Sequence, residues 1–397
     1  MSERKYIPCK LRLVSPTFDS DLTQSILDLN YLRKRMIRGS THPRTFFQIK
    51  EIFHWMESVG SARIEGNRTT LSEYAQDKVA SGSPESLEDR KKEIANMEKA
   101  MNFIDEFVNT KSVIDRSLVS EIHKKVVEGL DSDGEGDKTP GMYRMHQVEI
   151  VGSDHIVPPG HLVNELMDEL FAFVNNKKLK KQQHLLVTAL SHHRFVWIHP
   201  FGNGNGRTVR LFTYAMLIKQ GFTKVEQRII NPTAVFCEDR DAYYAHLSRA
   251  DSGDDEGLLK WSEYVLNGLA REIEKIDKIL DYSFMRDQIL IPAIYELKSN
   301  GIISADSAKI LEAIARSEKQ SLSATELRPV LDKNYNKLKP HELSRKLLPL
   351  KKNKMISPVG MPNSRTYGLD FITSPLTLAV VKKLNEQGFF PKNLFGN

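Results

Sequence analysis

A glycine-rich segment between two apolar helices most constrains the fold of this 397-residue chain. The stretches 185–198 and 207–219 are predicted to be helical because both are long and apolar, and the segment HPFGNGNG at 199–206 separates them. Its three glycines allow backbone conformations that other residues avoid, and a close approach to a ligand. Because the segment ends where a helix begins, free N–H groups and the helix dipole favour an anion there.

Three side chains add chemistry to this segment. Arg207 and Arg210 lie three residues apart at the start of the second helix, so both point toward the same region. The pattern predicts a cradle for a polyphosphate, and it is not a Walker loop because no Gly-Lys-Ser/Thr follows the glycines. With an ordinary pKa near ~6.5, His199 can accept a proton from a hydroxyl at neutral pH. A base beside a phosphate site predicts phosphoryl or nucleotidyl transfer; the alternative is a structural loop whose histidine caps a helix.

The stretch HPFGNGNGRTVR at 199–210 resembles the Fic signature, His-x-Phe-x-Asp/Glu-Gly-Asn-Gly-Arg-x-x-Arg, and matches it at every fixed place but one. The resemblance extends over about 46–250. It implies a mainly α fold: a Fic helical core with a small β-hairpin flap, an N-terminal helical region and a C-terminal winged helix-turn-helix. It also implies a protein adenylyltransferase, which moves AMP from ATP to a Ser, Thr or Tyr hydroxyl of a target protein or of itself.

The resemblance also assigns roles to residues. His199 would be the base, Phe201 would anchor the loop in the core, and Arg210 would take the γ-phosphate of ATP. A hairpin is predicted in the stretch 147–159, and its part at 148–157 resembles the flap on which the target binds as an added strand. The residues implied to surround ATP are Gly202, Asn203, Gly204, Asn205, Gly206, Arg207, Arg210, Val151, Gly152, Tyr243 and Tyr244.

The departure from the signature is Asn203, where the family usually has an Asp or Glu that holds Mg²⁺. A neutral amide oxygen is a poorer ligand for a hard dication than a carboxylate. Three outcomes stay open: weaker metal binding with activity kept, a different transferred group, or loss of catalysis. We expect nucleotidyl transfer to be retained, with Mg²⁺ or Mn²⁺ as cofactor and Asn203 as a doubtful metal ligand.

The sequence SARIEGN, at the end of a predicted helix over about 46–67, resembles the inhibitory helix of Fic proteins. Ser61 and Glu65 lie four residues apart on one helix face, and Gly66 suits a helix end. The resemblance implies that Glu65 pairs with Arg210 and so blocks the place of the γ-phosphate. The alternative is an ordinary helix end at the surface.

A basic module is predicted in the last part of the chain. Between Lys319 and Lys354 there are ten Lys or Arg residues and three Asp or Glu residues. Helices are predicted at 304–315, 323–331 and 340–350, with a hairpin at 355–371, which is the order of a winged helix-turn-helix. Its basic residues include Lys337, Lys339, Arg345 and Lys346. DNA binding and contact with protein alone remain open alternatives.

The predicted domains are an N-terminal helical region (1–115), a Fic core (116–280), a winged-helix-like module (285–372) and a C-terminal tail (373–397). The chain's two cysteines are far apart, and no stretch approaches ~20 apolar residues, so we expect a cytoplasmic protein without a membrane partner. A homodimer remains open. The alternatives to AMP transfer are a DNA-binding regulator that senses nucleotide with little catalysis, and a Fic transferase with another donor.

Overall fold

The computed structural model describes residues 6–35, 40–81, 89–150, 152–222, 234–331, 340–361 and 363–395. Val151, which was predicted to lie near the nucleotide, falls outside these ranges, as do Lys337 and Lys339 of the basic module. In the part of the chain that is described, no helix combines the length and the apolar composition needed to cross a bilayer.

Helices dominate the structure, which confirms the predicted mainly α fold. The helices are α1 (Asp21–Arg35), α2 (Pro43–Ile64), α3 (Leu71–Ser81), α4 (Asp89–Phe107), α5 (Arg116–Val127), α6 (Val163–Val174), α7 (Gln183–Ile198), α8 (Asn205–Lys219), α9 (Val235–Glu238), α10 (Arg240–Ala250), α11 (Asp255–Leu280), α12 (Tyr282–Phe284), α13 (Ile291–Ser299), α14 (Ala305–Arg316), α15 (Ala324–Leu331), α16 (Pro340–Lys352) and α17 (Pro375–Glu386). The strands are β1 (Ser321–Ser323), β2 (Ile356–Pro358) and β3 (Thr366–Leu369).

The chain divides into two compact units. The first comprises residues 1–37, 56–69 and 86–274, and the second comprises 38–55, 70–85 and 275–397. The C-terminal part of α2 is therefore counted with the first unit, together with α4–α8, whereas its N-terminal part is counted with the second.

The first unit is built around α7 and α8, which pack against each other, while α8 also packs on α4 and α5. Nearly every side chain of both helices is buried, as their apolar sequences predict. Helix α7 ends because His199 adopts left-handed angles (φ 51°, ψ 63°) and Pro200 cannot donate a backbone hydrogen bond. Helix α8 then begins after Gly204, which has φ 70°. The glycine-rich segment is thus fixed between two buried helix ends.

The predicted hairpin at 147–159 does not form paired strands in its described residues. The Ser153 N–H donates to the Ile150 carbonyl at 3.1 Å, so a turn is present. Between the arms, Gln147 Nε2 donates to the Val157 carbonyl at 3.1 Å, and the His155 ring of the second arm lies 2.8 Å from the Trp197 carbonyl of α7. The strand prediction was therefore wrong, and this segment is an irregular loop around a turn.

The second unit contains a three-stranded antiparallel sheet of order β1-β3-β2, in which Ser321 pairs with Gly368 and Ser357 pairs with the same residue from the other side. Helix α14 packs on α15, α16 and β3. Three helices followed by two strands is the order predicted from the sequence, and β1 is an addition to it. The assignment of a winged helix stays a prediction.

The segment 373–397, predicted as a tail, contains helix α17. Pro375 lies in its first turn and Ser374 forms a capping box. The helix buries Leu376, Val380 and Leu384, and it packs against α13 and α3. The spacing of these apolar residues is helical, which is the pattern of a helix packed on one face.

Candidate active site

The glycines of the loop at 199–206 allow close packing. A Cβ at Gly204 would lie 2.9 Å from Val127 Cγ1, and a Cβ at Gly206 would overlap the Glu65 carboxylate. At Gly202 it would lie 3.0 Å from Asp137 Oδ2. Side chains from other segments of the chain therefore pack directly against the backbone of the loop and of the N-terminus of α8.

The loop is held in shape by its own side chains. Asn205 Oδ1 accepts from the Phe201 N–H at 2.9 Å, and Asn205 Nδ2 donates to the Phe201 carbonyl at 3.0 Å. The Phe201 ring is fully buried and stacks on His123 at 3.8 Å between centroids. Phe201 thus lies in the core as expected. The Asn205 side chain, predicted to surround ATP, is placed on the loop's own backbone.

His123 is a buried positioning group that the sequence analysis did not name. Its Nδ1 accepts from the Gly141 N–H at 2.8 Å, so the proton is on Nε2, which lies 3.0 Å from the Asn203 carbonyl. Burial lowers the pKa of His123 to about 4, against smaller opposing effects of the Asn203 carbonyl and Asp137. The neutral ring therefore donates to the loop.

His199 is the first residue of the loop at 199–206. Burial lowers its pKa to about 4, and the charge of Arg144 lowers it further, while the Val196 carbonyl and the Glu65 carboxylate act in the opposite direction. The imidazole is therefore neutral at neutral pH. A neutral imidazole is the form that can accept a proton.

Arg144 holds the C-terminal end of α7. Its Nε donates to the His199 carbonyl at 2.7 Å and its Nη2 donates to the Ile198 carbonyl at 3.0 Å. Nη2 also donates to the Pro158 carbonyl at 2.8 Å and Nη1 to the His146 carbonyl at 2.9 Å. The residue is 1% exposed, and burial lowers its pKa to about 10, so it stays charged. We found no sequence signal for this role.

Arg210 is bound by the segment that was predicted to be inhibitory. Its Nε donates to Ser61 Oγ at 2.7 Å, and its Nη2 donates to the Ser61 carbonyl at 3.0 Å and to Glu65 Oε1 at 2.7 Å. The Arg210 side chain is 2% exposed and that of Glu65 is 25% exposed. Gly66, with φ 106°, forms the turn that follows α2. The predicted pair between Glu65 and Arg210 is present.

Both members of this pair are ionised. Burial raises the pKa of Glu65, but the charge and hydrogen bond of Arg210, together with the charge of Arg207, lower it overall. Burial lowers the pKa of Arg210, and the Glu65 carboxylate more than reverses this effect. The carboxylate therefore stays negative at the N-terminus of α8, where an anion is favoured.

Arg207 pairs with two carboxylates, those of Glu93 and Glu135, which were not predicted from the sequence. Its Nη1 lies 3.1 Å from Glu93 Oε1, and its Nη2 lies 3.0 Å from Glu135 Oε2. Nη2 also donates to the Glu135 carbonyl at 2.8 Å. The other oxygen of Glu93 accepts from Asn67 Nδ2 at 2.8 Å. These partners are distant in sequence, and Glu135 belongs to a stretch that reads as an exposed acidic loop.

The two tyrosines predicted near ATP differ in exposure. Tyr243 is 2% exposed, and its hydroxyl lies 2.8 Å from His192 Nε2. The Thr213 hydroxyl donates to the Val209 carbonyl at 2.9 Å, so the same hydroxyl accepts from His192 Nδ1 at 2.8 Å. The ring proton of His192 is then on Nδ1, and the Tyr243 hydroxyl donates to Nε2. Tyr244 is 39% exposed. Tyr243 is therefore a core residue, and Tyr244 is the one that keeps an open face.

Gly152 has φ 77°, and no atom lies within 4 Å of the position that a Cβ would take there. The side chain of Asn203 is engaged at both ends. Its Oδ1 accepts from the Gly204 N–H at 2.7 Å and its Nδ2 donates to the Gly134 carbonyl at 2.8 Å. Within the described ranges, no group of three or more His, Cys, Asp or Glu side chains is placed to hold a metal ion. Asn203 in this arrangement does not fit the predicted metal ligand.

Comparison with known proteins gives a consistent family. Residues 113–217 match the model of the Fic/DOC family. A relative from Nematostella vectensis named Protein adenylyltransferase Fic is 31% identical over 208 residues, which are 51% of this chain and 44% of that protein. One of the same name from Aedes aegypti is 30% identical over 239 residues, 59% of this chain and 42% of that protein. The chain thus spans less than half the length of these relatives.

Two solved structures share the fold. A Fic family protein from Desulfovibrio desulfuricans has a TM-score of 0.53 at 17% identity, covering 90% of this chain and 98% of its own. The Fic-1 protein of C. elegans has a TM-score of 0.50 at 23% identity, covering 64% and 71%. The matched residues include α5 through most of α8, and with them His199, the glycine-rich segment and both arginines. This chain therefore contains a Fic/DOC family domain at residues 113–217.

Proposed function

We propose that this chain is a protein adenylyltransferase that transfers AMP from ATP to a Ser, Thr or Tyr hydroxyl of a protein, and that Glu65 inhibits it. One observation carries the proposal: a carboxylate already occupies the anion position between Arg210 and the N-terminus of α8, beside a neutral His199. A site that binds a carboxylate in this way has the charge and shape for a phosphate. The names of the two relatives support ATP as the donor.

The proposed reaction uses His199 as general base. Its neutral imidazole takes the proton of the target hydroxyl, and the hydroxyl oxygen bonds to the α-phosphorus of ATP. The bond from the α-phosphorus to the bridging oxygen of the β-phosphate breaks, and diphosphate leaves with the negative charge. Arg207, Arg210 and the free N–H groups of α8 would hold the phosphates and stabilise that charge.

Glu65 inhibits in this proposal because it takes the donors that the γ-phosphate needs. Arg210 Nη2 is bonded to Glu65 and to Ser61. ATP then has to bind without Arg210 or displace the carboxylate, and in the first case its α-phosphorus is not oriented for attack. The target would lie along the irregular loop at 147–159, and modification of the chain's own hydroxyls is the simplest form of the reaction.

A divalent cation was expected from the resemblance, and Mg²⁺ or Mn²⁺ remains part of the proposal as a companion of ATP in solution. Because both ends of the Asn203 amide are engaged, no step of the proposed reaction is assigned to a metal held at this position. The chain has two cysteines, Cys9 and Cys237, that lie far apart in sequence, which is typical of a protein from a reducing compartment and supports a cytoplasmic location.

The test compares wild type, Glu65→Gly and Glu65→Gly/His199→Ala, each incubated with ATP labelled at the α- or the γ-phosphorus. We expect protein-bound label from the α-phosphorus in Glu65→Gly, little in wild type and none in the double variant. Label from the γ-phosphorus alone would show a phosphate donor reaction instead. Absence of label in all three, with ATP binding measurable, would contradict AMP transfer and favour a nucleotide sensor.

We propose DNA binding as a second function of the C-terminal module. An open groove of about 580 Å³ beside β2 and β3 has cationic and hydroxyl groups in its lining, among them Lys351, Lys354, Arg365, Ser357, Ser364 and Tyr367. The acidic residue of the groove, Asp370, lies 3.8 Å from Arg44 and is partly neutralised. Such a lining favours a phosphate backbone.

The DNA proposal is tested by fluorescence anisotropy with a duplex of about 20 bp at about 50 and 200 mM salt. Lys351→Ala/Lys354→Ala should bind more weakly and lose part of the salt dependence. Lys382→Ala removes one exposed cation of α17, which pairs with Glu296, and it serves as a control outside the groove. Equal binding by all three proteins, or no binding at low salt, would contradict the proposal.

A further inference from the structure

We propose that the acidic loop, defined as residues 131–139, is a second lock on the nucleotide site, in which Glu135 holds Arg207 until the phosphates of ATP displace it. This inference rests on the proposed function, because it concerns the phosphates that the transferase would bind. Glu65 occupies Arg210, and Glu135 occupies the other cation of the cradle in the same way.

The acidic loop is docked on the glycine-rich segment through Asn203. The Asn203 side-chain Nδ2 donates to the Gly134 carbonyl at 2.8 Å, and its backbone N–H donates to Asp137 Oδ2 at 2.9 Å. The Asp137 side chain is 2% exposed, although residues 131–135, 138 and 139 of the loop are exposed. A Cβ at Gly202 would lie 3.0 Å from the same Asp137 oxygen. The two segments therefore contact each other closely.

This docking explains why residue 203 is an amide. An aspartate at this position would point a carboxylate at the Gly134 carbonyl, and neither group could donate a hydrogen bond. It would also add a second negative charge beside Asp137. Asn203 donates where the carboxylate usual in the Fic signature could only accept, so we assign it the role of holding the acidic loop.

The shape of the loop is set by its own hydrogen bonds. The N–H groups of Gly134 and Gly136 both donate to the Asp131 carbonyl, at 3.0 and 2.7 Å. The Thr139 N–H donates to Asp137 Oδ1 at 2.6 Å. Glu135, between the two glycines, is thereby presented by a compact turn and not by an extended chain.

The two carboxylates on Arg207 differ in their freedom to leave. Glu93 lies on helix α4, is 4% exposed, and is also held by Asn67. Glu135 lies on the loop and is 48% exposed, so its side chain can turn into solvent. Glu93 therefore positions the Arg207 guanidinium, and Glu135 is the partner that can be exchanged for a phosphate.

The exchange would take place at one nitrogen. Arg207 is 1% exposed, and its Nη2 bonds both to the Glu135 carbonyl and to Glu135 Oε2. A phosphate at the N-terminus of α8 that is to bond Nη2 has to replace Glu135 there. Removing the charge of Glu135 should therefore strengthen nucleotide binding even after Glu65 has been removed.

The experiment measures ATP dissociation constants by isothermal titration calorimetry in the full chain. Glu65→Gly is compared with Glu65→Gly/Glu135→Gln, and we expect the second change to tighten ATP binding about tenfold, the size of one charge-assisted hydrogen bond. The control is Glu65→Gly/Asp133→Asn, which makes the same change of charge in the same loop. Asp133 is 79% exposed and pairs with Lys138, not with the cradle.

The outcomes separate this inference from the proposed function. If Glu65→Gly binds no ATP, both fail. If it binds ATP but Glu135→Gln changes the affinity no more than Asp133→Asn does, only the second lock is wrong. Asn203→Asp in the same background gives an independent check, since undocking should speed amide hydrogen exchange in residues 131–139 and tighten ATP binding. Unchanged exchange and affinity would contradict the role given to Asn203.

Discussion

Replacing Arg144 by lysine should destabilise the first unit strongly, although it keeps the charge. The guanidinium donates to four carbonyls, those of His199, Ile198, Pro158 and His146, at 2.7 to 3.0 Å. A lysine has one nitrogen and cannot reach groups on both sides of this cluster, so at least two carbonyls would stay unpaired. Each buried group without a partner costs about 1–3 kcal/mol, which gives about 3 kcal/mol in total.

For a unit of this size, about 3 kcal/mol corresponds to a melting temperature lowered by roughly 6–12 °C. Arg144→Lys is compared with wild type by differential scanning calorimetry and by hydrogen exchange of peptides covering residues 195–201. The control is Arg116→Lys, since Arg116 is exposed and lies 4.6 Å from the Tyr143 ring centroid. If Arg144→Lys has the same melting temperature as the control and unchanged hydrogen exchange at 195–201, Arg144 does not hold the end of α7.

Three further predictions concern the loop and its partners. The pKa of His123 is lowered to about 4 in the folded protein, so its contribution to stability is present above about pH 6.5 and is lost as the pH falls toward 4. The melting temperature should therefore fall over this pH range, and His123→Asn should make that fall smaller. Asn205→Ala removes two hydrogen bonds to the Phe201 backbone and should lower the unfolding free energy by about 1–3 kcal/mol in urea titrations. An unchanged urea midpoint would show that these two hydrogen bonds do not stabilise the loop. Glu65→Gly leaves Arg210 buried without its carboxylate partner, so the melting temperature of this variant should be lower than that of wild type when no nucleotide is present. Added ATP should raise the melting temperature of the variant more than that of wild type.

The phosphate cradle could be predicted from the sequence because its residues are contiguous. His199, the glycines and both arginines lie within twelve positions, and the spacing itself places the arginines together. Glu65 is distant in sequence, and only the resemblance to the inhibitory helix indicated its pairing with Arg210. That pairing is present in the structure.

The remaining groups of the site could not be predicted, because each acts through a contact that depends on the fold. Glu135 reads as one acidic residue of an exposed loop, and it is in fact half exposed. Arg144 gains its role only when the ends of α7 and of the loop at 147–159 meet around it. The strand prediction for that loop was wrong for the same reason, since His155 bonds to α7.

The fold was predictable where apolar stretches were long, as in α7 and α8. Helix α3 lies in the predicted N-terminal helical region, without bounds of its own, and no helix is predicted at α5 or α17, which are short or alternate apolar with charged residues. Helix α17 lies in the segment predicted as a tail, although its apolar residues have helical spacing.

Mass spectrometry of Glu65→Gly and Glu65→Gly/His199→Ala, each incubated with ATP and a soluble protein extract, shows which group is transferred and whether His199 is needed. We predict peptides that carry the mass of one AMP on a Ser, Thr or Tyr hydroxyl, with Glu65→Gly only. Peptides that carry a phosphate instead, or AMP peptides formed equally by both variants, would contradict transfer of AMP with His199 as the base.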